Sequence, residues 1–402
     1  MNRIRHIYAV LTAVATLALI CLGGLVTSHG VGLAVPDWPN TYGYNMFFFP
    51  ISDWVGGIFY EHTHRLLGSL VGLMTLILTL WLYGTGSRPW LKWGGAMLGM
   101  GGLLWAALVS GRKDWALLVA ATGGVAFAVS WVWPRCPPAP RLLRWLGMLA
   151  LVGVVAQGVL GGLRVVLLAD PIGVFHGVLA QLFLLLLCVI ALLTSPWWAR
   201  TADHWELAGE RARMFRGLVW ITTVLILGQL VLGASMRHRH AGLAVPDFPL
   251  AHGGLWPATD ADSMARYNRE RPELTALNYL APLDIHLHMV HRFLGMAIVG
   301  LLVMTAVRVR RALGAPHLLA RGALLWAVLG GVQLLLGAIT VWSNKSADLT
   351  TAHVAVGSVL LAWGGLLTLL VFRPRGADRA QRAAVGPEAV SGDWMPVESS
   401  SA

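Results

Sequence analysis

Four histidines stand at matching places along the chain. His64 and His291 each open an HRxLG run, while His176 and His353 each lie alone in a later apolar stretch. An ionisable side chain inside an apolar span is costly and usually faces the interior of a bundle, so each is a candidate site residue. Neutral imidazoles ligate transition metals. Two of them on facing helices can take both axial positions of a haem iron while the macrocycle fills the apolar gap. Two interhelical pairs then give one haem per half of the chain. A single histidine at a helix end more commonly reaches for the interface or a neighbouring helix, but four at equivalent places favour ligation. His62, His286 and His288 lie close by, and a shift of register would make one of them the ligand. For His62 and His286 an interfacial polar side chain is the simpler reading.

The companions of the histidines differ between the halves. Arg65 and Arg292 follow His64 and His291 directly, and a guanidinium fork suits a haem propionate. With the two HR pairs aligned, Glu61 falls opposite His288, each on the helical face of its candidate ligand. A carboxylate beside a haem in low dielectric can move protons during an oxidation, and the second half has no acid there. Glu61 is therefore the candidate catalytic residue, the alternative being an i, i+4 ion pair with Arg65 that fastens the helix end. Gly68, Gly72, Gly161 and Gly162 allow close approach of a helix or a cofactor.

These residues need membrane-spanning helices to position them. Of the 402 residues, 56% are apolar and 12% charged, which excludes a water-soluble globule and implies an all-α polytopic membrane bundle. The net charge of +11 is spread between apolar stretches, which speaks for topology and against nucleic acid. Apolar runs predict ten spans, near 8–28, 65–84, 91–109, 115–133, 143–167, 174–194, 215–236, 286–306, 321–341 and 350–371. The first is expected to be retained rather than cleaved as a leader. Alternate loops carry the arginines and residues 29–60 carry none, so both termini are expected in the cytoplasm of a cell-membrane protein. Cys21, Cys136 and Cys188 are far apart without Cys-x-x-Cys spacing, so neither a disulfide nor a zinc site is expected.

The sequence also repeats itself. GLAVPDWPN at Gly32–Asn40 returns as GLAVPDFPL at Gly242–Leu250, and QxxLG occurs at Gln157, Gln229 and Gln333. Such echoes indicate two four-helix repeats in the same orientation, related by an axis along the membrane normal. Residues 1–84 with 134–200 form the first repeat and 201–375 the second. Residues 85–133 are an added hairpin, and 376–402 an expected disordered, dispensable cytoplasmic tail. Asp37 and Asp247 sit in turn-like VPDWP and VPDFP contexts, and the loops that hold them read as covers for a cofactor.

GLAVPDWPN, the EHTHR run from Glu61, the HRFLG run from His291 and the QxxLG helices together resemble haem A synthase, over residues 8–371 apart from the hairpin. The resemblance implies an oxidoreductase that converts the methyl group of haem O to a formyl group for terminal oxidases, through two hydroxylations and loss of water. It further implies that His64 and His176 hold the substrate haem, that His291 and His353 hold an electron-carrying haem B, and that Glu61 is essential. Implied partners are membrane lipid, the farnesyltransferase that makes haem O and an electron donor, and a homo-oligomer is compatible with all of this. Two departures stand out: the first loop lacks the cysteine pair of many members, and the hairpin is extra. The rival reading is a di-haem b-type electron-transfer protein, which the four histidines would serve equally well. A repeat-built transporter fits less well, since the spans look continuous and the histidines lie near one face.

Overall fold

The computed structural model describes residues 3–109, 111–167, 170–201, 209–271 and 279–373. The expected tail, 376–402, lies outside them. The described chain is helical apart from its loops, with α1 Arg3–Ser28, α2 Gly56–Tyr83, α3 Arg88–Leu108, α4 Lys113–Val132, α5 Arg141–Leu167, α6 Asp170–Thr194, α7 Pro196–Arg200, α8 Gly209–His238, α9 Ala261–Glu270, α10 Pro282–Leu313, α11 Leu318–Trp342 and α12 Ala347–Val371.

Among the described residues, nine helical stretches are long and apolar enough to cross a bilayer. The longest, Gly56–Leu108 with 53 residues, is broken by the 3-10 turn Gly84–Ser87 into α2 and α3. Each of the ten expected spans thus corresponds to a long helix. The break has a local cause. Gly84 has φ +59°, and a Cβ there would overlap the Cys136 carbonyl oxygen, so only glycine fits.

The helix starts differ from the sequence expectation. α2 begins at Gly56 instead of 65, and α10 at Pro282, where proline suits the first helical position. His64 and His291 consequently sit more than two turns inside their helices. Hydropathy could not place these starts, because GGIFYEHTH and PLDIHLHMVH mix polar and apolar residues that only the packed loops satisfy. Two short helices, α7 and the polar α9, were also not expected. In α9, Asp260 caps the helix through the Ser263 amide, and the apolar face buries Met264 and Tyr267.

Each repeat closes a four-helix ring. In the first, α1, α2, α5 and α6 meet around Val71, Leu78, Leu143, Phe183 and Leu187. In the second, α8, α10, α11 and α12 meet around Phe215, Leu302, Trp326 and Leu361. Between the rings α1 packs on α12 and α8 on α6, the exchange of partners that a two-fold relation between the repeats requires. Lipid tails are as apolar as the side chains, so close packing and hydrogen bonds have to hold the helices together. Buried polar groups serve this end: Thr79 donates to the Gly147 carbonyl at 2.8 Å and Trp326 to that of Leu360 at 3.0 Å.

The α3–α4 hairpin packs chiefly on itself. A Cβ at Gly95, Gly102 or Gly123 would overlap backbone atoms of the partner helix, so the two backbones touch. Trp115 of α4 reaches the first repeat by donating to Asn40 Oδ1 at 2.9 Å.

Candidate functional site

Two loops of the same design lie over the histidine end of the bundle. In the first, Asn40–Thr41 pairs antiparallel with Tyr44–Asn45, and in the second Ala251 bridges Gly254. The turns between them place Tyr42 and Gly43, and His252 and Gly253, at positive φ, as tight hairpin turns demand. A non-glycine residue in that region costs about 1–2 kcal/mol, which local hydrogen bonds offset. Asp37 accepts the Tyr42 and Gly43 amides, both at 2.8 Å, and Asp247 those of His252 and Gly253 at 2.7 and 3.0 Å. Tyr42 Oη and His252 Nε2 then reach the carbonyls of Ala34 and Ala244. Partial burial would raise the Asp247 carboxyl, but the Gly253 and His252 amides outweigh it and hold it below its usual 3.8.

The arginines that follow the first histidine of each repeat pin these loops. Arg65 donates to the carbonyls of Val35, Asp37 and Asn40 at 2.7–3.0 Å and to Glu61 Oε1 at 2.6 Å. Both of its terminal nitrogens are thus engaged by the protein, which differs from a guanidinium reserved for a propionate. Arg292 donates to Val245 and Leu250 and keeps a buried Nε without a partner. Glu61 is 4% exposed, and its second oxygen accepts the Val35 amide at 2.9 Å. His288 occupies the equivalent place and accepts the Val245 amide at 3.4 Å. The ion pair that the spacing of Glu61 and Arg65 allowed is therefore present, inside a scaffold whose other copy carries an imidazole instead.

The alternative ligands point elsewhere. His62 is fully buried among Phe49, Trp54 and Thr41, bonding the Thr41 hydroxyl at 3.1 Å. His286 stacks on Trp256, and His288 faces its loop.

His64, His176, His291 and His353 share one environment. Each rests on a glycine of the preceding helix of its repeat: a Cβ placed on Gly23, Gly161, Gly233 or Gly337 would come within 2.9, 3.4, 3.1 and 3.2 Å of the respective ring. In all four, the supporting helix also brings a backbone carbonyl, that of Leu19, Gln157, Gln229 or Gln333, to the ring, the contact by which an imidazole is oriented when its other nitrogen ligates a metal. His176 is an electrostatic neighbour of His64. The rings of His291 and His353 have centroids 6.4 Å apart, with their planes at 63°. A metal–imidazole bond is about 2 Å long, so rings on opposite sides of one ion have centroids ~6 Å apart. Among the described residues no group of three or more His, Cys, Asp or Glu gathers as a bare-ion site. The donor set is two imidazoles in an apolar gap, which is what a haem iron takes and a free zinc ion does not.

Sequence reading passed over two arginines. Arg164 of α5 is a close electrostatic neighbour of both His64 and His176. Arg237 of α8 interacts with His353 and donates to Gly24 O and Ser28 Oγ of α1 at 2.6 and 2.7 Å. An arginine at the end of an apolar span was the available signal, and such a residue reads as loop charge until the neighbouring helices are in place.

Fold and site together define a duplicated polytopic helix bundle with a pair of facing histidines in each half. Residues 114–364 match the family described as cytochrome oxidase assembly protein, COX15-CtaA, and the chain belongs to this family, that of haem A synthase. It is 30% identical over 253 residues to the Heme A synthase of Erythrobacter litoralis, covering 60% of this chain and 68% of that one. Over longer alignments it is 22% identical to the Heme A synthase of Alkalihalophilus pseudofirmus, 93% of this chain and 99% of the relative. To that of Shewanella oneidensis it is 23% identical, with 87% and 92% covered. Membership makes it a multi-pass membrane oxidoreductase that works with haem.

Proposed function

We propose that the chain converts haem O to haem A, with the substrate haem between His64 and His176 and a haem B between His291 and His353. The observation that carries this reading is an asymmetry inside a symmetric scaffold: the same backbone amide is accepted by Glu61 in one half and by His288 in the other. Two electron-transfer haems would need no such difference, whereas one reacting haem and one electron carrier would. The names carried by the relatives agree with it.

Bound haem would supply the redox chemistry, and the chain holds and orients it. The four imidazoles would hold the two macrocycles, and the pinned loops over the histidine end would keep water from them. Conversion of the methyl to a formyl group would be a four-electron oxidation, written as two successive hydroxylations with loss of water from the gem-diol. An external oxidant such as dioxygen would have to accept the electrons and protons and supply the oxygen. Glu61, less than one turn from His64 on the same helical face, is the group that takes up or returns the proton at the first site, and Arg65 holds it there. Arg164 and Arg237, which lie beside the histidine pairs, and the buried Nε of Arg292 are the cationic groups nearest to where propionates would come. Both termini lie in the cytoplasm, so the loops face the other side of the cell membrane, where an electron donor and the haem O-producing enzyme are expected to meet the protein.

Glu61→Gln tests this directly in cells that make haem O. Glutamine keeps an acceptor for the Val35 amide, so both haems should stay bound with bis-histidine spectra while haem A formation falls about 10²- to 10⁴-fold. Undiminished conversion would remove Glu61 from the chemistry. Two b-type haems with no conversion in the unsubstituted protein would replace the synthase by an electron-transfer cytochrome.

A further inference from the structure

Four residues before each glycine that carries a histidine ring stands a position that faces the neighbouring helix. It is Gln157 on α5, Gln229 on α8 and Gln333 on α11, but Leu19 on α1. The backbone carbonyl of this residue faces the histidine ring in all four cases. The glutamines add a side-chain clasp. Gln157 Nε2 donates to the His176 carbonyl at 3.1 Å and Gln229 Nε2 to that of His291 at 2.7 Å. The Gln333 amide lies 3.4 Å from the His353 ring nitrogen Nε2. Leu19 has no amide to offer His64.

A second observation falls at the same place. One turn beyond His291 and His353 are Gly295 and Gly357, and a Cβ on either would meet the clasping amide at 3.2 and 3.1 Å. Those glycines make room for the glutamines. The equivalent of Gly295 in the first repeat is Gly68, where a Cβ would have nothing within 4 Å. The α1–α2 seam beside His64 therefore lacks the amide and keeps the space that an amide would fill.

The chemistry asks for a difference of this kind. A substrate haem has to arrive and its product has to leave, whereas an electron-carrying haem has to stay. We propose that Gln157 and Gln229 are positioning residues for the histidines whose carbonyls they hold, with Gln333 packed beside the His353 ring, and that Leu19 with Gly68 leaves His64 the ligand that releases, so that the first-pair haem exchanges and the second-pair haem is retained. The inference rests on the assignment of haem O and haem B to the two pairs.

The experiment uses the full-length protein carrying both haems in detergent, mixed with excess apomyoglobin. Transfer is followed by absorbance, and the haems captured at each stage are identified by chromatography. The fast phase should carry haem O or its oxidised products and the slow phase haem B. Leu19→Gln should slow the fast phase about tenfold, as one added net hydrogen bond would, and leave the slow phase unchanged. Gln229→Leu should speed release of haem B by a similar factor and shift the low-spin electron paramagnetic resonance signal of the second pair, with Gln229→Asn restoring part of the wild-type rate. If Leu19→Gln does not accumulate, the Gln229 variants decide the matter. Two haems that leave at one common rate, or rates unmoved by these substitutions, overturn the proposal while leaving the haem assignment intact. A protein that yields no haem O or oxidised product at all overturns the assignment itself.

Discussion

Gly162 stands where the indole of Trp38 comes down from the first loop, and a Cβ there would overlap the ring. The matching residues of the second repeat are Phe248 and Ala338, a smaller ring opposite a larger helix residue. Gly162→Ala should therefore lift the first loop without unfolding the bundle. The expected result is faster proteolysis of residues 29–55 and loss of first-pair haem, with second-pair haem unchanged; protease resistance equal to wild type would contradict it. Gly23→Ala should act on His64 itself, since the new methyl would meet its Cε1 at 2.9 Å. Its signature is a changed low-spin resonance signal for one haem only. At this scale the four histidines were legible as a set, because ionisable residues in apolar spans are costly and turn to the bundle interior, and the repeat puts them at matching places. The sequence singled out Gly161 but not Gly23, Gly233 or Gly337 beneath the other three, since a glycine in a membrane helix has many uses and only the packed neighbour tells which applies.

The loops behave as elements in their own right, each closed by one aspartate, one left-handed turn and one arginine from the helix below. Asp247 is held below 3.8 by the Gly253 and His252 amides against the opposing effect of burial. A carboxyl lowered on folding contributes stability that is fully present above its unfolded pKa and is lost as pH falls through the folded value. The second loop should thus resist pepsin down to about pH 4 and open below it, and Asp247→Asn should open it at every pH and flatten the profile. An unchanged profile in the variant would remove the aspartate from the role. The duplicated GLAVPD strings made the two loops legible as a pair. Their turn geometry was not, because Tyr42 is an unusual residue for positive φ and the turns are held by side-chain and carbonyl partners five and eight residues upstream, not by a turn motif. The start of α2 at Gly56 escaped for a related reason: polar residues such as Glu61 and His62 look like loop until the loop that satisfies them is in place.

For the molecule as a whole, the duplication explains the architecture better than any single motif does. Two rings of four helices pack their first and fourth members against each other at the interface, and the α3–α4 hairpin stands outside this pattern, held by its own glycine contacts and by Trp115 on Asn40. The ends of the hairpin meet where Thr85 donates to the Cys136 carbonyl at 3.0 Å. Replacing residues 85–133 by a short linker should therefore leave both haems bound, as a haemochrome spectrum of the purified variant would show; loss of the first-pair haem alone would make the hairpin part of the site. The hairpin was legible from its apolar runs, but the turn at Gly84 was not, since its cause is a carbonyl from across the hairpin. The central claim is that one histidine pair holds the substrate and the other the electron carrier. Haems extracted from four single variants, His64→Ala, His176→Ala, His291→Ala and His353→Ala, made in cells that supply haem O and separated by chromatography, test it most directly. The account predicts that the first two lose haem O and its products but keep haem B, and that the last two lose haem B. Equal loss of both haems in all four variants, or the reverse assignment, would contradict it.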